Sequence, residues 1–430
     1  MIYQNQELTK TFFVSYDNKQ LASWQDLANV ELDKNIYFSA TSAPQTFRSD
    51  CRKGSCFSGW QTPTPSLIYE STGGVVSNCL SIEQTLSLDE YESLVDQHLR
   101  KSIRQAYSEN KIVNLAFSGS LDSMIVLSYI LNMGLGSRTR VVCFQNLITQ
   151  KPDALRFDQS RIDSINQFFE NNQLGLHSTG WETITINDLV SLINDGLSYD
   201  QILPSSLAAV LNRSQNQAWI GGWHGNRTML HHRMIFDQMI LQDPDIKTQL
   251  KNQTEQSWMT AYSHTIKKVD FDSEPVHIKY QSNKTKPWHG LQGHRGHNIY
   301  VPLGTEPLFL DLRRINPTFF NFDLVAHGTF GRRLIEKNAP DLLNWMTKKQ
   351  SENDVDVVEF IMVPTDCIDY SQLVIPKDLK HNQEGVEWLE YEIEKSKQTK
   401  EIEFNTVLSI KNLQWVSDLV HGRKEQNVSR

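Results

Sequence analysis

Apolar residues at helical spacing stand out first between Tyr91 and Ile103. Tyr91, Leu94, Val95, Leu99 and Ile103 recur every three or four positions, which predicts a helix running to about Tyr107 with one buried face. Its start is marked by Ser87-Leu-Asp-Glu90, a serine followed three residues later by a glutamate. Beyond this helix the pattern alternates. VNLAF (113–117) reads as a buried strand, SMIVLSYILNM (123–133) as an apolar helix stopped by Gly134, and TRVVCFQ (139–145) as a second strand. Residues 158–171 read as a helix, WETITI (181–186) as a strand, Asp188 as the opening of a helix, 204–214 as a helix and AWIGG (218–222) as a strand. Strands alternating with helices predict an α/β fold, a doubly wound parallel sheet with helices on both faces.

The flanks differ from this middle. Residues 1–88 lean towards β structure: TFFVSY (11–16) and NIYFSA (35–40) read as short strands, and the Thr-Pro-Thr-Pro and Gly-Gly stretch between Phe57 and Gly74 as a connector. Residues 223–355 read mostly as helices and loops rich in His and Trp. The tail, 356–430, is mixed and carries the charged run EYEIEKSKQTKEIE, read as a solvated helix face or linker. The expected organisation is therefore a small β-rich N-terminal domain (1–88), an α/β domain with a helical C-terminal part (89–355) and a C-terminal α/β extension (356–430).

Composition narrows the function classes. The 430 residues are 39% hydrophobic and 21% charged, with a net charge of −8, so the acidic balance argues against a general nucleic-acid binder. No apolar stretch approaches the ~18–20 residues needed to span a bilayer. MIYQNQELTK lacks the basic-then-apolar order of a signal peptide, and the five cysteines are an odd number; together these give the expectation of reduced thiols in a cytoplasmic protein.

The chemistry concentrates in Ser118-Gly-Ser-Leu-Asp-Ser123, set where the VNLAF strand meets the apolar helix. Backbone N–H groups at such a turn converge on an anion, and the helix adds its positive end. Serine hydroxyls donate further hydrogen bonds. An aspartate beside phosphate is sensible if it holds Mg²⁺, which bridges carboxylate and phosphate oxygens. Taken alone, the hexapeptide is also readable as a serine-rich turn whose aspartate caps the helix. The G-x-x-x-x-G-K-[ST] loop of Walker-type NTPases is absent, and Gly134-Leu-Gly136 follows a helix, where it reads as a helix stop.

Phe117-Ser-Gly-Ser-Leu-Asp-Ser123 resembles the SGGxDS PP-loop of the ATP pyrophosphatases, and its context resembles the synthetase domain of asparagine synthetase and its relatives. Three later stretches carry the resemblance. Trp219-Ile-Gly-Gly-Trp-His-Gly-Asn226 is similar to a strand followed by G-E-G-S-D-E, with Gly222 at the first glycine and Asn226, or in another register Gly225, at a metal-binding aspartate. The stretch 301–317, VPLGTEPLFLDLRRINP, is similar to V-P-F-L-D followed by a helix ending in R-I-N-P. Ala339-Pro-Asp-Leu-Leu-Asn-Trp-Met-Thr-Lys348 is similar to I-P-x-x-V-L-W-R-x-K, whose lysine contacts phosphate; Lys349 is the neighbouring candidate.

The resemblance implies a sheet of PP-loop (HUP-like) type and an ATP-dependent amide ligase that activates a carboxylate as an acyl-adenylate and passes it to an amine. ATP and Mg²⁺ are the implied cofactors. Leu115, Phe117 and Phe144 would flank adenine with Gly222 near the ribose or base, and Ser118, Gly119, Ser120 and Ser123 would cradle pyrophosphate. Asp122 and Asn226 would hold Mg²⁺, and Lys348 would be the catalytic cation. The implied substrates are a small-molecule or peptide carboxylate and an amine. No membrane is implied, nucleic acid is disfavoured, and a homodimer is compatible.

Departures from the family pattern matter too. Ile2 stands where glutamine-using relatives carry a catalytic cysteine, so no glutaminase is expected. The second PP-loop glycine is Ser120, the glutamate of E-A-R-V-P is Asn298, and the aspartate of P-F-L-D is Thr305. An asparagine cannot take a proton from an amine. Tyr300, Glu306 or a histidine of the 289–297 stretch is then the candidate base, and a degenerate, non-catalytic binding or scaffold protein is the competing reading.

Overall fold

The structure, a computed structural model, describes residues 86–146, 152–185, 217–222, 225–230, 298–305, 328–346, 362–375 and 383–403, with shorter pieces within 2–76, 187–188, 308–324 and 406–417. Up to residue 76 the described backbone is strand: β1 (Ile2–Tyr3), β2 (Phe12–Ser15), β3 (Leu21–Ser23), β4 (Trp60–Gln61), β5 (Ile68–Glu70) and β6 (Val75–Val76). They pair antiparallel in two small sheets ordered β1-β5-β6 and β3-β2-β4. The strand expected in TFFVSY is β2, whereas NIYFSA lies outside the described residues.

Helix α1 (Leu88–Glu109) starts where the capping box predicts. The Ser87 N–H donates to Glu90 Oε2 at 2.8 Å, and the Glu90 N–H donates to Ser87 Oγ at 3.3 Å. Such a cap contributes about 1 kcal/mol. The face predicted from spacing is the buried one: Tyr91, Val95, Leu99 and Ile103 have no exposed surface. Glu92 is also buried, and Arg333 (2.7 Å) and Lys337 close on its carboxylate.

The central sheet consists of β7 (Val113–Ala116), β8 (Thr139–Asn146), β9 (Ser178–Ile184), β10 (Ala218–Gly221) and β11 (Asn298–Tyr300). All its pairings are parallel and its order is β11-β10-β7-β8-β9. The chain thus builds outwards from β7 to β9, then crosses to the other side of β7 for β10 and β11. Helices α2 (Leu121–Asn132) and α3 (Pro152–Asn171) follow β7 and β8, and α4 (Gly225–Thr228) is one turn after β10. Next come α5 (Thr329–Asn338) and α6 (Leu343–Met346). Val113, Leu115, Phe117, Val141 and Ile220 face a single core shared with α1, α2, α3 and α5. The opposite face is buried as well, through Val142, Trp219, Ile184 and Ile299.

Helix α2 is apolar nearly all round and buried from Ser123 to Ile130, as a helix without a polar face must be. It stops at Gly134, as expected: φ is +69°, Gly134 N–H donates to Leu131 O and Leu135 N–H to Ile130 O, the paired bonds of a left-handed glycine cap. Other expectations shift. Helix α3 starts six residues before the predicted 158, and β9 starts three before WETITI and ends two short of it. Asp188 accepts the Thr185 N–H at 2.7 Å and so reaches back to its helix start from the first turn. Residues 204–214 lie outside the described residues. Strand β11 was not expected within 223–355; three residues are too few to show an alternating pattern. In the tail, α7 (Gln383–Thr399) joins β12 (Met362–Pro364) to its antiparallel partner β13 (Glu401–Glu403). The charged run is therefore the solvated face of a helix, with Lys395–Glu392 and Lys397–Glu394 pairs, followed by a strand. No described helix is long and apolar enough to cross a membrane.

Four phenols are held in the proton-bearing form. Burial pushes Tyr107 up to about 12, offset in part by Thr139, and burial with the Glu109 carboxylate pushes Tyr300 up to about 12. Tyr91 and Tyr129 are raised by burial too. An acid whose folded pKa lies above its unfolded value of about 10 retains more protons when folded, so its stabilisation is complete below pH ~10 and is lost as pH rises through the folded pKa. Urea midpoints should therefore be flat between about pH 8 and 9.5 and fall between about pH 10 and 12. Tyr107→Phe should make that fall shallower; an unchanged slope contradicts the assignment.

Candidate functional site

In a parallel sheet, ligands bind beyond the carboxyl ends of the strands, at the point where strand order reverses. Here that point lies between β7 and β10. The segment leaving β7 is Phe117-Ser-Gly-Ser-Leu-Asp-Ser123, and the segment leaving β10 begins at Gly222. Two of the stretches singled out in the sequence thus meet at the switch point.

The turn itself gathers hydroxyls. Ser118 Oγ donates to Ser120 Oγ at 2.9 Å, and Ser123 Oγ lies 3.4 Å and 3.5 Å from those two oxygens while donating to Ser120 O at 2.9 Å. Ser118 and Ser120 are exposed, and Ser123 is buried beneath them. Ser120 occupies the N-cap of α2 in extended conformation, yet its side chain makes no capping hydrogen bond. The first intrahelical bond runs from Met124 N–H to Ser120 O, and the N–H groups before it have no partner inside the helix. Ser87, by contrast, caps α1 fully. The serine at the N-cap of α2 is thus not engaged as a cap, and its hydroxyl is exposed at the turn.

Gly222 and Gly225 press on the start of α2. A β-carbon on Gly222 would lie 2.4 Å from the Asp122 carbonyl carbon and 2.6 Å from Ser123 N. One on Gly225 would lie 2.5 Å from the Asp122 carboxyl carbon and 2.6 Å from Leu303 Cδ1. Asp122, in the first turn of α2, therefore holds its carboxylate against the turn after β10. Leu303 belongs to the 301–317 stretch, and its carbonyl accepts the Thr228 hydroxyl at 2.7 Å. The fourth stretch arrives through Trp345. Gly119 has φ +74°, and a β-carbon there would lie 2.6 Å from Trp345 Cη2. Trp345 donates to Ser164 O of α3 at 3.2 Å and packs on Phe168 with centroids 4.7 Å apart. Of the three later stretches of the sequence resemblance, two meet this turn directly, through Gly222 and Trp345, and the third reaches it through Leu303 against Gly225.

The remaining candidates are distributed differently. Leu115 and Phe117 turn their side chains into the core, where Phe117 stacks on Phe168 at 6.3 Å; any contact they make with a base falls to their backbone. Phe144 lies on the opposite sheet face, half-buried, stacked 6.2 Å from the fully buried Trp219. The small Ala116 on the strand between them leaves room for the two rings to meet. Trp219 was not singled out by sequence reasoning, although an aromatic in a strand beside two glycines was its visible signal. The Asn226 backbone is in α4, but its side chain lies outside the described residues, as does Lys348. The histidines of the 289–297 stretch, His289, His294 and His297, are outside them too.

Asn298 pairs in register with Ala218, the first residue of β10, so it sits at the end of the sheet away from the serine turn. Its amide donates to Asn110 Oδ1 at 2.7 Å. Tyr300 donates to Glu109 and accepts from Asn110 Nδ2 at 3.1 Å. Burial with the Glu109 carboxylate raises the Tyr300 phenol to about 12, and its hydrogen bonds commit it to the end of α1. Thr305 is buried, and its hydroxyl has no hydrogen-bond partner among the described residues.

Among the described residues, no group of three or more His, Cys, Asp or Glu side chains is placed to share a metal ion. Magnesium in nucleotide sites needs less: one or two carboxylates, with phosphate oxygens supplying the rest. Asp122 beside the serine turn fits that smaller requirement. No protein-family model matches the chain, and no curated protein matches it.

Proposed function

We propose that the chain is an ATP-dependent, AMP- and pyrophosphate-forming amide ligase of the asparagine synthetase-like kind, acting without glutamine hydrolysis. The observation that carries this reading is the serine turn at the switch point, whose exposed N-cap hydroxyl makes no capping hydrogen bond to α2. The gathering of the three later sequence stretches around that turn supports it further.

A substrate carboxylate oxygen attacks the α-phosphorus of ATP, the bond to the bridging oxygen breaks, and pyrophosphate leaves. An amine then attacks the acyl carbon, AMP leaves, and one proton is released. Ser118, Ser120 and Ser123 with the N–H groups opening α2 bind the departing pyrophosphate, and the helix's positive end favours its charge. Asp122, with Asn226 as a weaker neutral partner, would hold Mg²⁺. That ion would neutralise phosphate charge when bound. Lys348 is the proposed cation for the charge developing on the pentavalent phosphorus. The PP-loop type of the sheet belongs to the same proposal.

The test is incubation of the chain with α-labelled ATP, Mg²⁺ and a metabolite extract from the source cell. Labelled AMP and pyrophosphate in equal amounts, dependent on the extract, are expected. One observation favours the competing reading of a non-catalytic nucleotide-binding scaffold: Asn298, at the position of a family glutamate, is tied to Asn110. A folded chain that binds ATP and never yields AMP would establish that alternative.

A further inference from the structure

The contact between Trp345 and Gly119 links two parts of the proposed ligase site that are more than 220 residues apart in sequence. The indole is wedged. Its benzo edge meets the left-handed Gly119 of the serine turn, its N–H is tied to Ser164 O, and its ring packs on Phe168 of α3. The helix leading to it is fixed independently. Gly331 of α5 sits against Leu121 and Ile125 of α2, and Arg333 and Lys337 hold the buried Glu92 of α1. The α5–α6 segment therefore touches the serine turn on both sides, at Gly119 through Trp345 and at Leu121 through Gly331.

A glycine with φ near +74° has no side chain of its own to hold it there. In a turn that binds phosphate through backbone N–H groups, the peptide planes must stay fixed for the donors to converge. We propose that Trp345 is a positioning residue for the serine turn: its ring holds the Gly119 backbone in the phosphate-binding arrangement, so that Trp345 sets affinity for pyrophosphate and for the β- and γ-phosphates of ATP without touching the base. This rests on the ligase reading above. It adds a residue whose loss separates phosphate affinity from nucleoside affinity.

The test is calorimetric titration of the full chain with Mg²⁺-pyrophosphate and, separately, with AMP, for wild type, W345A and W345F, below the melting temperature of each variant. W345A is expected to weaken pyrophosphate binding about tenfold, a loss of order 1.4 kcal/mol, and to leave AMP affinity within about twofold with unchanged stoichiometry. W345F keeps a ring on Phe168 but loses the N–H tie to Ser164 O, and is expected to weaken pyrophosphate binding by about twofold to fivefold, less than W345A. Equal loss for both ligands, or a fall in stoichiometry alone, would mean a general structural role and overturn the inference, as would wild-type-like pyrophosphate binding by W345A. If W345A does not fold, W345F decides: a selective pyrophosphate loss of about twofold to fivefold supports the inference, and no change overturns it. Failure of the wild-type chain to bind either ligand would instead overturn the ligase reading, and this inference with it.

Discussion

Asp122→Asn is expected to lower AMP formation about 100-fold or more while leaving the fold intact. The side chains are nearly isosteric, so the packing of the carboxylate group against Gly225 survives. What changes is charge. An acidic residue in the first turn of a helix contributes only about 0.3–1 kcal/mol through the helix dipole, so the melting temperature should move by a few degrees at most. Loss of the carboxylate that Asp122 offers to Mg²⁺ removes an electrostatic contribution to the reaction, and single preorganised groups of this kind are worth about 10²–10³ in rate. The measurement pairs AMP release with a thermal melt. A stable variant that releases AMP at the wild-type rate would remove Asp122 from the mechanism.

Gly222→Ala is expected to cause the largest single loss of stability, about 3 kcal/mol, near the upper end of overpacking effects. The new methyl would meet the carbonyl carbon and oxygen of Asp122 and the nitrogen of Ser123 at 2.4–2.6 Å. These are backbone atoms at the start of a helix that is buried on all sides, so they cannot turn aside as a side-chain tip could. The start of α2 must shift, and phosphate binding should fall with stability. Gly134→Ala is the matched control. It introduces left-handed strain at φ +69° but meets nothing within 4 Å, so it should cost about 1–2 kcal/mol and leave phosphate binding unchanged. Urea denaturation of both variants checks the difference. Equal losses would mean that the contact with α2 is of no consequence.

Local chemistry made part of this molecule legible in the sequence. The capping box at Ser87 and the stop at Gly134 are fixed by residues a few positions apart, so α1 and α2 begin and end close to where their patterns say. The serine turn was visible for the same reason. Long-range pairing was not. Three residues of β11 complete the sheet only because β10 lies beside them, and the reversal of strand order that places the turn at a switch point is a property of pairing alone. The close fit of Gly222 and Gly225 on Asp122 belongs to the same class: glycine marks a permissive backbone, and only the packed structure says what it makes room for. Leu115 and Phe117 mark the converse limit. The resemblance implied a place for both beside adenine, but their strand parity sends both side chains into the core.

The central claim is that the turn between β7 and α2 binds the phosphates of ATP. Calorimetric titration of the full chain with Mg²⁺-ATP tests it most directly, with the double variant Ser118→Ala/Ser123→Ala beside it. Saturable one-site binding by the native chain, weakened about tenfold or more when the two hydroxyls are removed, is the predicted result. A cooperatively folded native chain that gives no saturable binding, or binding indifferent to the two serines, would contradict it.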